Sequence, residues 1–221
     1  MVRFSALILA WALIAPPVMA QQPVGMENVV PVSRERALPR ARWEYRPNGA
    51  LWTRVALSAM DGHGAELVQT VPKDITDWCP AYGDNPPEAR AAFWVGLLST
   101  VSRYESNWKP RAVGGDGRWF GLMQIAPSTA EYRDCRVESG SALLNPLDNL
   151  NCAIRIMAVT VPRDQAISVK DTRWRGVAAD WGPVRNDRIR RDMQAYTKRQ
   201  TYCRPLAEVR PKQRPGLLPN F

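Results

Sequence analysis

The run Ala91-Ala92-Phe93-Trp94-Val95-Gly96-Leu97-Leu98-Ser99-Thr100-Val101-Ser102-Arg103-Tyr104-Glu105-Ser106-Asn107-Trp108 decides how the rest of the chain is read. No charge occurs between Ala91 and Ser102. Leu97, Leu98 and Val101 stand eight, seven and four positions before Glu105, so helical spacing places them on the face that carries its carboxyl. The sequence therefore predicts a buried helix with an acid at its end. Upstream, Asn85 can cap, Pro86 suits the first helical position and Glu88 completes a box-like start. A carboxyl among apolar neighbours, with Trp108 one turn on, loses solvation of its charged form; its pKa rises and it can stay protonated as a general acid. A plainer reading stands beside this one. A glutamate near a helix end is ordinarily solvated, and Lys109 at i+4 offers an ion pair.

The chain has 221 residues, 45% of them hydrophobic, enough for one domain with a core and peripheral segments. Its nineteen prolines lie mostly outside the central stretch, which predicts a compact middle between irregular flanks. At the N-terminus, Arg3 precedes an apolar run from Ala6 to Ile14 and then Val18-Met19-Ala20, the pattern of a cleaved secretory signal over residues 1–20. That run is too short to span a bilayer, so no integral membrane segment is expected after cleavage. The expected address is periplasmic or secreted. An exported chain with four cysteines, Cys79, Cys135, Cys152 and Cys203, reads as two disulfides with three possible pairings. We expect Cys135 with Cys152, tying neighbouring helices, and Cys79 with Cys203, tying the ends of the domain. With one histidine and no C-x-x-C spacing, a zinc site is not expected, and neither is any other metal or cofactor. The net charge of +9 favours an anionic partner such as cell-wall polymer, an acidic membrane surface or nucleic acid. Export argues against nucleic acid.

Residues 21–48 are rich in Pro and Arg without apolar period and read as an extended or disordered linker. A helical N-terminal extension follows at 49–78, with a helix from Ala50 to Met60 stopped by Asp61-Gly62 and a short one between Gly64 and Val71. His63 has no evident partner and is assigned no role. Beyond the Glu105 helix, Gly114-Gly115-Asp116-Gly117-Arg118 reads as a flexible turn, and Pro127-Ser128-Thr129 starts a helix. Another opens at Asn145-Pro146, with Leu147, Leu150, Ile154, Met157 and Val161 on one stripe. Further helices are expected over 173–181 and 187–202, the last carrying Ile189, Met193 and Tyr196 on one face. No strand pattern is convincing, so the fold class is mainly α. A Pro-rich tail covers 204–221.

Three motifs now stand in order: Glu105-Ser106-x-Trp108; Gly121-Leu122-Met123-Gln124-Ile125 with Pro127-Ser128-Thr129; and Asn145-Pro146-x-x-Asn149. Together they resemble the soluble lytic transglycosylase (SLT) domain, a lysozyme-like, mostly helical fold that acts on bacterial peptidoglycan. The resemblance covers 79–203. It implies that Glu105 is the sole catalytic acid and base, that Ser106 helps hold the substrate or the carboxyl, that Met123 and Gln124 line the saccharide groove, and that Asn149 hydrogen-bonds near the cleavage site. Peptidoglycan glycan strands would be the partner. Two positions depart from the family pattern. Ala153 replaces a usual Gly, and Ala178-Ala179-Asp180-Trp181-Gly182-Pro183 stands where the family commonly shows Ala-Tyr-Asn-x-Gly. The tyrosine that normally reaches toward the catalytic Glu is missing. Trp181 is the candidate replacement, either stacking on a sugar face or packed as a core tryptophan.

Glycosidic cleavage needs a proton on the leaving oxygen and stabilisation of an oxocarbenium-like transition state. The resemblance implies that the substrate's own N-acetyl group supplies the second requirement, and that the same Glu then accepts the proton of the 6-hydroxyl as a 1,6-anhydro ring closes. Two rivals remain. One is a goose-type muramidase that hydrolyses, with Asp116 as base; the other is a catalytically silent wall-binding module.

Overall fold

The computed structural model describes residues 37–137 and 139–205. The expected signal segment 1–20, the first part of the expected linker and nearly all of the Pro-rich tail lie outside the described residues.

The core forms around α3 (Pro87–Ser106), in which every residue from Ala91 to Ser102 is buried. Two of its buried hydroxyls bond back to their own helix, Ser99 Oγ donating to Gly96 O at 2.6 Å and Thr100 Oγ1 to Leu97 O at 2.7 Å, while Ser102 Oγ is buried without a partner among the described residues. Ser99 and Thr100 are thus tolerated in a helix wrapped on all sides. The start differs from expectation by one residue. Pro87 is the first helical residue, and Asn85 is not the cap: its amide donates instead to Tyr202 O at 2.6 Å. The sequence pattern Asn-Pro-Pro offers two prolines that fit a first turn, and the second takes it.

Around α3 pack α1 (Gly49–Asp61) and α2 (Ala65–Gln69). The long α5 (Pro146–Asp164) rests on α1 and α2, with Leu150, Ile154, Met157 and Val161 all buried as the period predicts. Asn145 caps it, its Oδ1 accepting from Leu147 N at 3.0 Å. Two further elements, α4 (Pro127–Tyr132) and α8 (Asp187–Lys198), also match their expected places, though the last helix stops at Lys198 and a 3₁₀ turn, Thr201–Cys203, completes the segment. The architecture is mainly α.

Three local expectations are corrected. Two small antiparallel hairpins exist among the described residues, β1 (Val113–Gly114) with β2 (Trp119–Phe120) and β3 (Val169–Lys170) with β4 (Trp174–Arg175). Strands of two residues offer no alternation to read. The helix expected over 173–181 is therefore a strand followed by two single turns, α6 (Val177–Asp180) and α7 (Gly182–Arg185). The third correction concerns the linker. Its end is part of the core: Trp43 is fully buried and donates to Thr53 Oγ1 at 2.9 Å, Arg42 N donates to Ser99 Oγ at 2.8 Å, and the Arg42 guanidinium pairs with Asp192 on α8. Hydrogen bonds from Arg42 hold the Asp192 carboxyl down at about 2.

Both expected disulfides are present, Cys79–Cys203 and Cys135–Cys152, spanning 124 and 17 residues. The first joins the segment before α3 to the one after α8. In the chain-entropy account, a bridge closing so long a loop stabilises mainly by restricting the unfolded chain. Replacing Cys79 and Cys203 together by Ala should lower unfolding free energy by about 2–5 kcal/mol, and Trp43→Ala should cost about 3–5 kcal/mol. Denaturant titration measures both; a Trp43→Ala loss below about 1 kcal/mol would return 41–48 to the status of a linker.

Candidate active site

Glu105 lies in the last turn of α3, half-buried, and the helix stops directly after it in an uncommon way. Asn107 and Trp108 both take left-handed backbone, φ 53° and 57°. For a tryptophan this costs on the order of 1–2 kcal/mol, and packing holds it there. Trp108 is 8% exposed, its indole N–H donates to Ser99 O at 2.8 Å, and its ring meets Tyr45 edge-on at 5.4 Å. The chain thus turns away sharply and leaves the Glu105 carboxyl at a helix exit.

Among the described residues that carboxyl has no hydrogen bond and no ion pair, and Lys109 does not pair with it. Burial pushes Glu105 up from 4.5 to about 7, with the positive charge of Arg185 pulling the other way. Arg185 itself is braced against α6, its Nε donating to Ala178 O and its Nη2 to Ala179 O, both at 2.7 Å. Ala179 occupies the position of the missing tyrosine. An arginine was not among the residues singled out from the sequence; only its charge and its place four residues past Trp181 could have drawn attention to it.

The other sequence-predicted residues do come together, but around a loop rather than around a substrate. The loop runs Phe120–Ile125 and closes on itself through paired bonds, Phe120 N to Ile125 O and Ile125 N to Phe120 O, each 3.0 Å. Ser106, next to the catalytic candidate, donates its hydroxyl to Leu122 O at 2.9 Å and Ser102 O at 3.2 Å. Asn149 is fully buried: Oδ1 accepts from Met123 N at 2.8 Å, while Nδ2 donates to Phe120 O at 2.9 Å and Leu143 O at 3.0 Å. Trp181, 3% exposed, donates its indole N–H to Met123 O at 3.0 Å. Gln124 donates to Gly121 O at 2.9 Å and Ala112 O at 3.2 Å.

These contacts change the assigned roles. The Met123 side chain is fully buried and cannot line a groove. Asn149 has its amide engaged on three backbone groups and holds the loop. Ser106 does not hold the carboxyl. Trp181 is the packed core residue of its two readings, with its donor occupied. Gln124, half-buried at φ 47°, borders with Trp181 a small cleft of about 80 Å³ that Trp119, Ile125 and Asp180 also line. Gly121 is required here: φ is 77°, and a Cβ would strike Leu143 O and the Asn149 amide.

Asp116 sits exposed at the tip of the β1–β2 hairpin, between Gly115 and Gly117, all three with positive φ. The turn is built, not loose. Arg118 N donates to Gly114 O at 3.1 Å, and the Arg118 side chain donates to Gly115 O at 2.8 Å. His63 lies elsewhere, its Nε2 at 3.1 Å from Asn151 O. Among the described residues no group of three His, Cys, Asp or Glu could hold a metal ion, and no helix is long and apolar enough to cross a membrane.

Comparison with known proteins adds the family. Residues 86–179 match the transglycosylase SLT domain. Among solved structures the chain is similar to Bd0314 DslA: the wild type in its form 2 is 29% identical with a TM-score of 0.69, over 75% of this chain and 98% of that one. A Glu-to-Gln variant of the same protein gives 29% identity and a TM-score of 0.69, over 74% and 97%. No curated protein matches the chain.

Two outcomes are expected from this geometry. Asn149→Ala leaves Met123 N and Leu143 O short of a partner, while Phe120 O keeps Ile125 N, and should cost about 2–5 kcal/mol of stability, measured by denaturant unfolding. Glu105→Gln should stabilise, because the folded chain resists ionising a carboxyl that the unfolded chain ionises freely. That gain should be small below pH 4.5, grow as pH rises toward about 7 and level off above it; thermal melts across this range showing a constant difference would contradict a raised Glu105.

Proposed function

We propose that this chain, whose residues 86–179 carry a transglycosylase SLT domain, cleaves the β-1,4 bond between MurNAc and GlcNAc in peptidoglycan with Glu105 as the acid. The observation that carries the reading is the unpartnered carboxyl at the exit of a buried helix. Pushed to about 7, it still holds its proton near neutrality and can deliver it to the glycosidic oxygen as the bond breaks. Positive charge then grows at the anomeric carbon. In the transglycosylase route the substrate's N-acetyl group stabilises it, and Glu105, now ionised, takes the proton of the 6-hydroxyl while that oxygen closes a 1,6-anhydro ring. The carboxyl ends the cycle protonated, as it began. The charge of Arg185 favours the ionised intermediate state of the acid. We further propose that the chain works in the periplasm or outside the cell, the address implied by residues 1–20.

One observation favours a second reading, hydrolysis. The Glu-to-Gln variants of the similar solved protein stand at two positions eleven apart, and Glu105 and Asp116 are also eleven apart. Asp116 on an ordered hairpin tip is a better candidate for a fixed base than the same residue in a loose turn. In an inverting hydrolase such a carboxylate activates water roughly 6.5–9.5 Å from the acid.

Mass spectrometry of products from purified peptidoglycan decides. We expect muramic ends lighter by one water than reducing ends, a loss of about 10²–10⁴-fold or more in Glu105→Gln, and most activity retained in Asp116→Asn. Reducing ends together with an inactive Asp116→Asn would establish hydrolysis, and wall binding without any product would leave a silent binding module.

A further inference from the structure

A cavity of about 530 Å³ opens between the Arg46–Trp52 segment and the Trp108–Ala112 turn. Its walls are apolar, from Pro47, Trp52, Trp108 and Pro110, and its remaining charged lining is Arg46, Lys109 and Arg111, with no carboxylate among the lining residues. The Arg46 guanidinium is held in place, 5.2 Å over the Trp108 ring and 5.3 Å over Tyr45, with Nη2 donating to Asn107 O at 3.2 Å. Lys109 and Arg111 are exposed and, among the described residues, their side chains have no hydrogen bond or ion pair. Three cations around an apolar floor suit an anionic ligand with small apolar groups.

Where the cavity lies narrows the ligand. Trp108 and Lys109 follow Glu105 by three and four positions, on the turn that ends the catalytic helix. Its other wall comes from residues 46–52, ahead of the matched stretch 86–179. The cavity therefore lies between the matched domain and the segment that precedes it. We propose that it takes the acidic peptide that a peptidoglycan strand carries on its muramic acid, with the free carboxylates meeting Lys109, Arg111 and Arg46 and the alanyl methyl groups resting on Trp52 and Trp108. This rests on the peptidoglycan reading above. It makes the N-terminal segment a specificity element, preferring strands that keep their peptides over bare glycan.

The test compares full-length wild type with the Lys109→Ala/Arg111→Ala double variant on two substrates, peptide-bearing strands and strands stripped of peptide by an amidase. Each exposed cation is worth roughly two- to fivefold. We expect KM on peptide-bearing strands to rise about four- to twenty-fivefold in the double variant, with kcat unchanged and no difference on stripped strands. Equal losses on both substrates, or none on either, would overturn the proposal. A second measurement stands apart from catalysis: a free wall tetrapeptide titrated into the full chain, followed through the indole N–H NMR signals of Trp52 and Trp108. Saturable shifts that weaken in the double variant support the cavity even if no strand is ever cut, and their absence in wild type refutes it.

Discussion

The burial of α3 is the constraint on which everything else depends. A run of twelve residues without charge, Ala91 to Ser102, can exist in water only if other elements cover every face of it. The chain meets that demand with α1, α2 and α8, and also with the segment around Trp43. Once α3 is enclosed, the residue at its exit inherits the enclosure. Glu105 is only half-buried, yet its carboxyl has lost enough water, with no hydrogen bond to compensate, for its neutral form to persist near pH 7. The unusual acidity is a consequence of where the helix has to stop.

Stopping there requires a turn that the sequence does not favour. Two consecutive non-glycine residues in left-handed backbone store strain that the Trp108 indole bond to Ser99 O and the ring packing against Tyr45 and Arg46 must offset. A few residues on, the Phe120–Ile125 loop is held by the same logic. Each carbonyl from Phe120 to Met123 accepts a bond from a side chain, donated by Asn149, Gln124, Ser106 and Trp181 respectively. Phe120 O and Gly121 O also accept from Ile125 N and Gln124 N, whereas Leu122 O and Met123 O depend on their side-chain donors. Because Ser106 follows Glu105 directly, the loop and the acid are positioned by one connected set of bonds.

Much of this was legible in the sequence. The apolar run gave the buried helix and the candidate acid, the Asn145-Pro146 start gave α5, and four cysteines, read with an expected export, gave the two bridges. What could not be read follows from missing signals. Strands of two residues have no period, so the hairpins were invisible. The Trp43 segment is anchored by one indole, one backbone bond and one ion pair, spread too thinly to look like an element. The side chains of Asn149 and Ser106 are engaged on the Phe120–Ile125 loop and that of Met123 is buried, contacts the sequence could not specify, because a motif specifies a residue and not the partner of its side chain. Asn149 in the second turn of a capped helix can face a sugar or a loop; only the packing of α5 decides.

The position of the absent tyrosine shows how the site is balanced without it. Ala179 offers no hydroxyl, and Trp181 has its only donor on Met123 O. The group that does act on Glu105 is Arg185, braced on the carbonyls of Ala178 and Ala179 themselves. A neutral hydroxyl would donate a hydrogen bond to the carboxyl; a guanidinium fixed nearby acts through charge without a bond. Burial and that charge oppose each other, burial holding the proton on and Arg185 easing it off. In the proposed reaction the carboxyl first gives a proton and then takes one, and the useful condition for that is one in which neither form is strongly preferred near the working pH. A deeper carboxyl without Arg185 would be a reluctant donor, and a more exposed one beside it would already be ionised before the substrate arrived. The intermediate value near 7 is thus the product of two opposing features, the enclosure of α3 and the short α6–α7 segment that carries the arginine.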